Sequence, residues 1–328
     1  MRRREFVVGI GAAAVMWPSA AQPQQQGPTP VVGFLNSASR VPFAHLAAAF
    51  RKDLREEGFI EGENVVIEER WADGRYDRLP ALAEDLAQRR NLVVAATGGA
   101  MSGVAAKSAV GRVPIVFVMG GDPVKFGLVA SLSRPGGNIT GITQLTIELA
   151  AKRLGLLHEL VPDMKRVAVL LNPDFSDASP QLREVETASA QAGFEPVIVR
   201  ARTEAEFAPA FDIIARERTD ALLIGADPFF NSRRDQLVAL VARQRIPTIY
   251  EFREFTEAGG LMSYGTDLAD AYRLVGVYVG RVLKGAHPSD LPVIQASKFE
   301  FIINLRTARA LDLTIPPAIL ARADEVIE

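Results

Sequence analysis

From residue 31 onward, short apolar runs bounded by turn residues alternate with longer stretches whose apolar positions recur every three or four residues. Short runs of that kind specify strands, and the longer period specifies helices. In the first half the pattern predicts strands at 31–35, 65–70, 92–96, 114–118 and 138–143. Helices are predicted between them at 43–57, stopped by Gly58, at 76–90 and at 102–109. The same grammar then restarts. A helix at 148–160 leads to a strand at 166–171 and a helix at 181–192 closed by Gly193; strands at 196–199, 221–224 and 247–250 enclose helices at 205–216 and 232–243. The tail adds a strand at 260–264, a helix at 269–283, a strand-like run at 300–304 and a short helix near Ala308. Such alternation is the sequence form of an α/β fold with parallel sheets. Two similar halves predict two Rossmann-like lobes with a cleft between them, and a tail that crosses back through the hinge. The expected division is 31–143 plus about 265–292 for the first lobe, and 144–264 plus about 293–328 for the second.

The residues before this pattern have another character. Arg2, Arg3 and Arg4 precede an apolar run over 7–17, followed by Pro18 and the small residues Ser19, Ala20 and Ala21. A basic head, a short apolar middle and a small-residue end form the layout of an export signal, here 1–21. Arg3-Arg4 followed by x-Phe-Val also resembles the twin-arginine signal. Residues 22–30, rich in Gln and Pro, read as a disordered leader. Gly9-Ile10-Gly11-Ala12-Ala13-Ala14 imitates a dinucleotide-binding fingerprint, but no strand can precede it and no acidic residue follows at the spacing that would bind a ribose. No cofactor is therefore expected.

Composition narrows the classes further. Of 328 residues, 48% are hydrophobic and 23% charged, enough to build large cores. Loss of 1–21 would remove three arginines and one glutamate, taking the net charge from -2 to -4, which argues against nucleic acid as a partner. The chain has no cysteine, which excludes disulfides, thiol catalysis and lipid attachment at the end of the signal. After the signal no apolar run approaches membrane-helix length. A soluble, untethered periplasmic monomer is the expectation. His45, His158 and His287 are scattered, so neither a metal site nor a histidine-driven triad is expected. Ser102 lies in Gly-Ala-Met-Ser-Gly, not in the hydrolase elbow, and no phosphate loop occurs. An enzyme is not expected.

Ligands of doubly wound sheets bind beyond the carboxyl ends of the strands. The candidate binding residues are therefore those that follow predicted strands. Gly98, Gly99, Ala100, Met101 and Ser102 would offer backbone N–H groups and a hydroxyl at a helix start, suited to an anion. The alternative is a turn that needs glycine for its backbone. Gly120 and Asp122 form a similar turn, with Asp122 either capping a helix or facing the cleft. Asp227 could bind an ammonium group or cap the helix after it. Tyr250 and Tyr264 could hold an apolar or aromatic side chain, or pack in the core or hinge. Ser37, Gln144 and Asn172 occupy equivalent strand-end positions, and Trp71 is a weaker candidate.

Several motifs together resemble one family. They include Val32-Gly33-Phe34-Leu35-Asn36-Ser37, Arg70-Trp71-Ala72-Asp73-Gly74-Arg75-Tyr76, Gly121-Asp122-Pro123-Val124, Arg134-Pro135-Gly136-Gly137-Asn138, Ala226-Asp227-Pro228-Phe229-Phe230 and Gly259-Gly260-Leu261-Met262-Ser263-Tyr264-Gly265. The resemblance is to ABC transporter substrate-binding proteins of the tryptophan- and tyrosine-binding type, and it spans the chain beyond the leader. It implies a type I periplasmic binding protein fold with three crossovers, capture of a small solute by lobe closure, and an inner-membrane ABC permease as partner. By analogy with amino-acid binders of this fold, a carboxylate would sit at the turns of Gly98–Ser102 and Gly120, an amine on Asp227 or Glu251, and an aromatic or apolar side chain against Tyr250 and Tyr264. A sensory module presenting the same solute to a receptor is the alternative.

Overall fold

The computed structural model describes residues 29–144 and 146–328. The expected export signal, with the leader up to residue 28, lies outside the described residues. The chain begins with β1 (Val31–Asn36), α1 (Ala44–Glu56), β2 (Val66–Trp71), α2 (Leu79–Ala87), β3 (Leu92–Thr97), α3 (Ala100–Ala109), β4 (Ile115–Met119) and β5 (Ile139–Thr143). It continues through α4 (Leu149–Leu160), β6 (Arg166–Leu171), α5 (Ala178–Ala192), β7 (Glu195–Arg200), α6 (Phe207–Arg216), β8 (Ala221–Ile224), α7 (Pro228–Ser232), α8 (Arg234–Gln244), β9 (Thr248–Tyr250), α9 (Arg253–Glu257) and β10 (Met262–Thr266). The last part is α10 (Leu268–Leu283), β11 (Ile294–Gln295), β12 (Phe299–Asn304), α11 (Leu305–Ala310), α12 (Pro317–Leu320) and β13 (Glu325–Ile327).

These strands form two sheets, ordered β11-β5-β4-β3-β1-β2 and β13-β12-β10-β9-β8-β6-β7. All pairs are parallel except β10 with β12. Central strands such as β3 and β8 are buried along their whole length, because helices cover both faces of a parallel sheet. Edge strands β2 and β7 are only half-buried. The chain passes between the sheets three times, after β5, after β10 and between β11 and β12. This is the two-lobed α/β architecture of periplasmic binding proteins. Although β10 belongs to the second sheet, α10 packs on the first, where Leu268, Tyr272, Val275 and Val279 join Phe34, Leu46 and Phe50 in one core. Gly276 permits this, since a side chain there would strike the Phe50 carbonyl.

Differences from the sequence pattern have local causes. Tyr76–Arg78 forms a 3-10 turn, so α2 begins only at Leu79, with Pro80 in its first turn. β10 starts two residues later than the apolar run because Gly259 turns the chain at φ 107°. The five-residue α7 and α9 and the two- or three-residue β11 and β13 are too short to show a period.

Candidate functional site

The carboxyl ends of the two sheets face each other across a cavity, the place where ligands of doubly wound sheets bind. The first sheet contributes Gly98 and Gly99 after β3 and Gly120 after β4; Phe43 and Tyr272 close that side with rings. The second contributes Phe175 and Asp177 from the β6–α5 loop, Ala226 and Asp227 after β8, and Glu251 and Phe252 after β9. Gln144 and Thr146 come from the first crossover.

Three carboxyl groups thus share one cavity, and burial raises the pKa of each. Asp227 is pushed up to about 6, against hydrogen bonds that favour its ionised form. Those bonds occupy both oxygens: Phe230 N donates to Oδ1 at 2.8 Å, while Tyr76 Oη and Asn172 Nδ2 donate to Oδ2 at 2.9 and 3.1 Å. Asp177 is pushed up to about 7 by burial, opposed by the Ser176 hydroxyl and reinforced by the charges of Asp227 and Glu148. Glu251 rises to about 8 by burial, opposed by the Arg153 charge and a hydrogen bond from Thr146. Arg153 is itself wholly buried and donates to the Thr146 carbonyl at 3.0 Å. The Gln144 amide nitrogen is buried with no hydrogen-bond partner. Among the described residues, no group of His, Cys, Asp and Glu is arranged to hold a metal ion.

The family model for "ABC transporter substrate binding protein" matches residues 43–327. The chain belongs to that family. Its members bind small-molecule solutes and are not an enzyme class. The "Tyrosine-binding protein" of Clostridioides difficile (strain R20291) is 27% identical over 266 residues, covering 80% of this chain and 75% of that protein. Among solved structures, an ABC domain from Streptococcus pneumonia in complex with L-Trp superposes with a TM-score of 0.83 at 24% identity, covering 92% of this chain and 100% of the other. A conserved domain protein from Vibrio cholerae O1 biovar El Tor gives the same TM-score at 26% identity, covering 91% and 100%.

In this substrate-binding protein the strand-end residues fall into three groups. Gly98, Gly99, Gly120, Gln144, Asp227 and Glu251 line the cavity. Ser37 and Asn172 stand behind it: the Ser37 hydroxyl donates to the Gly98 carbonyl, and Asn172 reaches only Asp227 and the Asp174 amide. A β-carbon at Gly98 would lie 2.6 Å from the side chains of Asn36 and Ser37, and φ there is +79°, so this turn requires glycine.

The remaining candidates lie away from the cavity. Ala100 and Ser102 are on the buried face of α3, and Met101 lines a separate groove between α2 and α3. Asp122 accepts from Val124 N at 2.9 Å, as a turn cap, and borders a second interlobe groove. Tyr250 is stacked on Phe255 at 4.8 Å in a hydrophobic core beside the second sheet, with Phe207, Phe211 and Phe230. Alternation along β9 explains this, since it sends Tyr250 into the core and its neighbour Glu251 into the cavity. Tyr264 pairs across the sheet with Phe301 at 6.2 Å. Trp71 is held by a hydrogen bond to Glu69 at 2.9 Å.

Sequence reasoning missed Phe43, Thr146, Phe175, Asp177 and Tyr272. Asp177 was discoverable, because it stands in the loop after a predicted strand. Tyr272 was not, since its period places it in the buried stripe of α10, whose end happens to reach the cavity.

Proposed function

We propose that this chain is the solute-binding component of an ABC importer and that its solute is an amino acid with an aromatic or apolar side chain. In this reading the chain is exported through the signal at 1–21 by the twin-arginine route, works in the periplasm as a monomer, and delivers its solute to an inner-membrane permease. The first lobe is 31–143 with about 265–292, and the second holds the rest of the fold. Tyrosine in the name of the Clostridioides difficile relative and L-Trp in the Streptococcus structure favour this solute class.

One observation carries the proposal. The cavity combines rings of Phe43, Phe175 and Tyr272 with an unpartnered amide nitrogen at Gln144 and carboxyl groups on the opposite lobe. The solute carboxylate lies toward Gln144 and the turn at Gly99, where α3 begins without a side-chain cap. The rings cover the side chain. A solute held by both lobes stabilises the closed form over the open one. Melting curves of the protein lacking 1–21 with a panel of solutes test this, since a solute at 100 times its Kd adds about 2.7 kcal/mol. A panel in which aromatic and apolar amino acids raise Tm most is expected. If only sugars or inorganic ions do so, the proposed solute class is wrong.

A further inference from the structure

Of the three cavity carboxyl groups, Asp227 is saturated by hydrogen bonds and Glu251 feels the charge of the buried Arg153, whereas Asp177 has neither. Asp227 accepts three hydrogen bonds, one from the backbone of α7, one from Asn172 and one from Tyr76 of the other lobe. Glu251 has the Arg153 charge and Thr146. The Asp177 side chain has one hydrogen bond, from the adjacent Ser176 hydroxyl at 3.3 Å. Asp177 occupies the N-cap position of α5, where aspartate ordinarily accepts from the helix backbone, yet it makes no such bond. It is 1% exposed and borders the cavity. A buried carboxylate with so little help is costly unless a cation or donor meets it. The charges that act on it, Asp227 and Glu148, are negative.

The opposite lobe makes room for Asp177. A β-carbon at Gly120 or Gly121 would lie 3.4 and 3.3 Å from its two oxygens, so the bare backbone of this turn lets the carboxylate approach. Separately, the Gln144 amide nitrogen lines the same cavity, buried and unpartnered. An acceptor with spare capacity and an unmet donor therefore share one cavity, which calls for a solute with both a basic and an acidic end.

We infer that Asp177 receives the ammonium group of the solute, that the solute is accordingly an amine, and that Asp227 instead ties the lobes together. The inference rests on the proposed cavity and refines it. A solute N–H donates to the second oxygen of Asp177, an interaction that forms at a buried carboxylate and discriminates strongly against an analogue without the amine.

Titration calorimetry with L-tyrosine, tyramine and 3-(4-hydroxyphenyl)propionate tests it. The protein should bind the two amines roughly tenfold or more tightly than the propionate. Asp177→Asn should erase that preference, while Asp227→Asn should weaken all ligands alike. Retention of the full amine preference by Asp177→Asn overturns the inference. The unsubstituted protein needs no variant, and absence of the amine preference there overturns the inference whether or not Asp177→Asn folds. If none of the three binds, the solute found by melting curves is compared with its analogue lacking the basic nitrogen. A solute without a basic nitrogen overturns the inference. Binding of a simple amine through Asp177, with no amino acid bound, supports it while refuting the amino-acid proposal.

Discussion

The Tyr76 hydroxyl donates to Oδ2 of Asp227 over 2.9 Å and so joins the first lobe to the second at the wall of the cavity. The Tyr76 ring also meets Phe175 of the second lobe at 5.7 Å. This bond exists only while the lobes are together, so it belongs to the closed form's stability. A hydrogen bond to a charged acceptor contributes about 1.5–3 kcal/mol. Tyr76→Phe should therefore weaken solute binding by roughly ten- to hundredfold. Calorimetry on the pair of proteins measures this. Equal affinities would mean that Tyr76 and Asp227 do not couple closure to binding.

Gly74 supplies a steric test of closure. Its φ is +78°, and a β-carbon would lie 2.6 Å from the Phe229 ring of the other lobe. Gly62 has φ +84° but nothing within 4 Å. Alanine at either position incurs left-handed strain of about 1–2 kcal/mol, but only at Gly74 does it also obstruct the lobes. Gly74→Ala should lower solute affinity well beyond any effect of Gly62→Ala, although both lower Tm. If the two variants bind equally well, Phe229 yields without opening the cleft.

The fold was readable because its signals are long-range in pattern and local in cause. Strands β6 and β8 have the bounds that their apolar runs predict, and the restart of the strand–helix grammar marks the second sheet. Strand ends also pointed to Gly98, Gly99, Gly120, Asp227 and Glu251 at the cavity wall. Which residue of a pair faces the cavity was not readable. Tyr250, the last residue of β9, lies in the core and Glu251, the next residue, in the cavity, and no composition signal reports that phase. Nor could spacing show that Asp227 is saturated by Tyr76, 151 residues away, while Asp177 is left open. Those relations exist only once two lobes meet.

The cavity carboxyl groups should make the solute-free protein more stable on mild acidification. Folding raises Asp227 from 3.8 to about 6, Asp177 from 3.8 to about 7 and Glu251 from 4.5 to about 8. A raised carboxyl pKa contributes stability that is fully present below the unfolded value and lost as pH rises through the folded one. Carboxylates held low, such as Glu68 by Arg89 and Asp85 by Arg70, act the other way, but only as pH falls below the ordinary carboxylate range. Between about pH 8 and 5, Tm should therefore rise as pH falls, and Asp177→Asn should flatten the rise. A Tm that falls over that window would contradict the burial of these groups.

Solute capture should release protons if Asp177 meets an ammonium group. The groups acting on Asp177 are Ser176, Asp227 and Glu148, and Asp177 in turn acts on Glu251. With a pKa of about 7, the Asp177 carboxyl is partly protonated near neutrality. A cationic partner favours the ionised form, so the proton leaves as the solute enters. Calorimetry in buffers of different ionisation enthalpy counts that proton. The release should grow from pH 8 toward pH 6 and largely disappear in Asp177→Asn. Binding heats that are the same in every buffer at about pH 6.5, inside this window, would show that Asp177 stays neutral, or stays ionised, throughout the binding step.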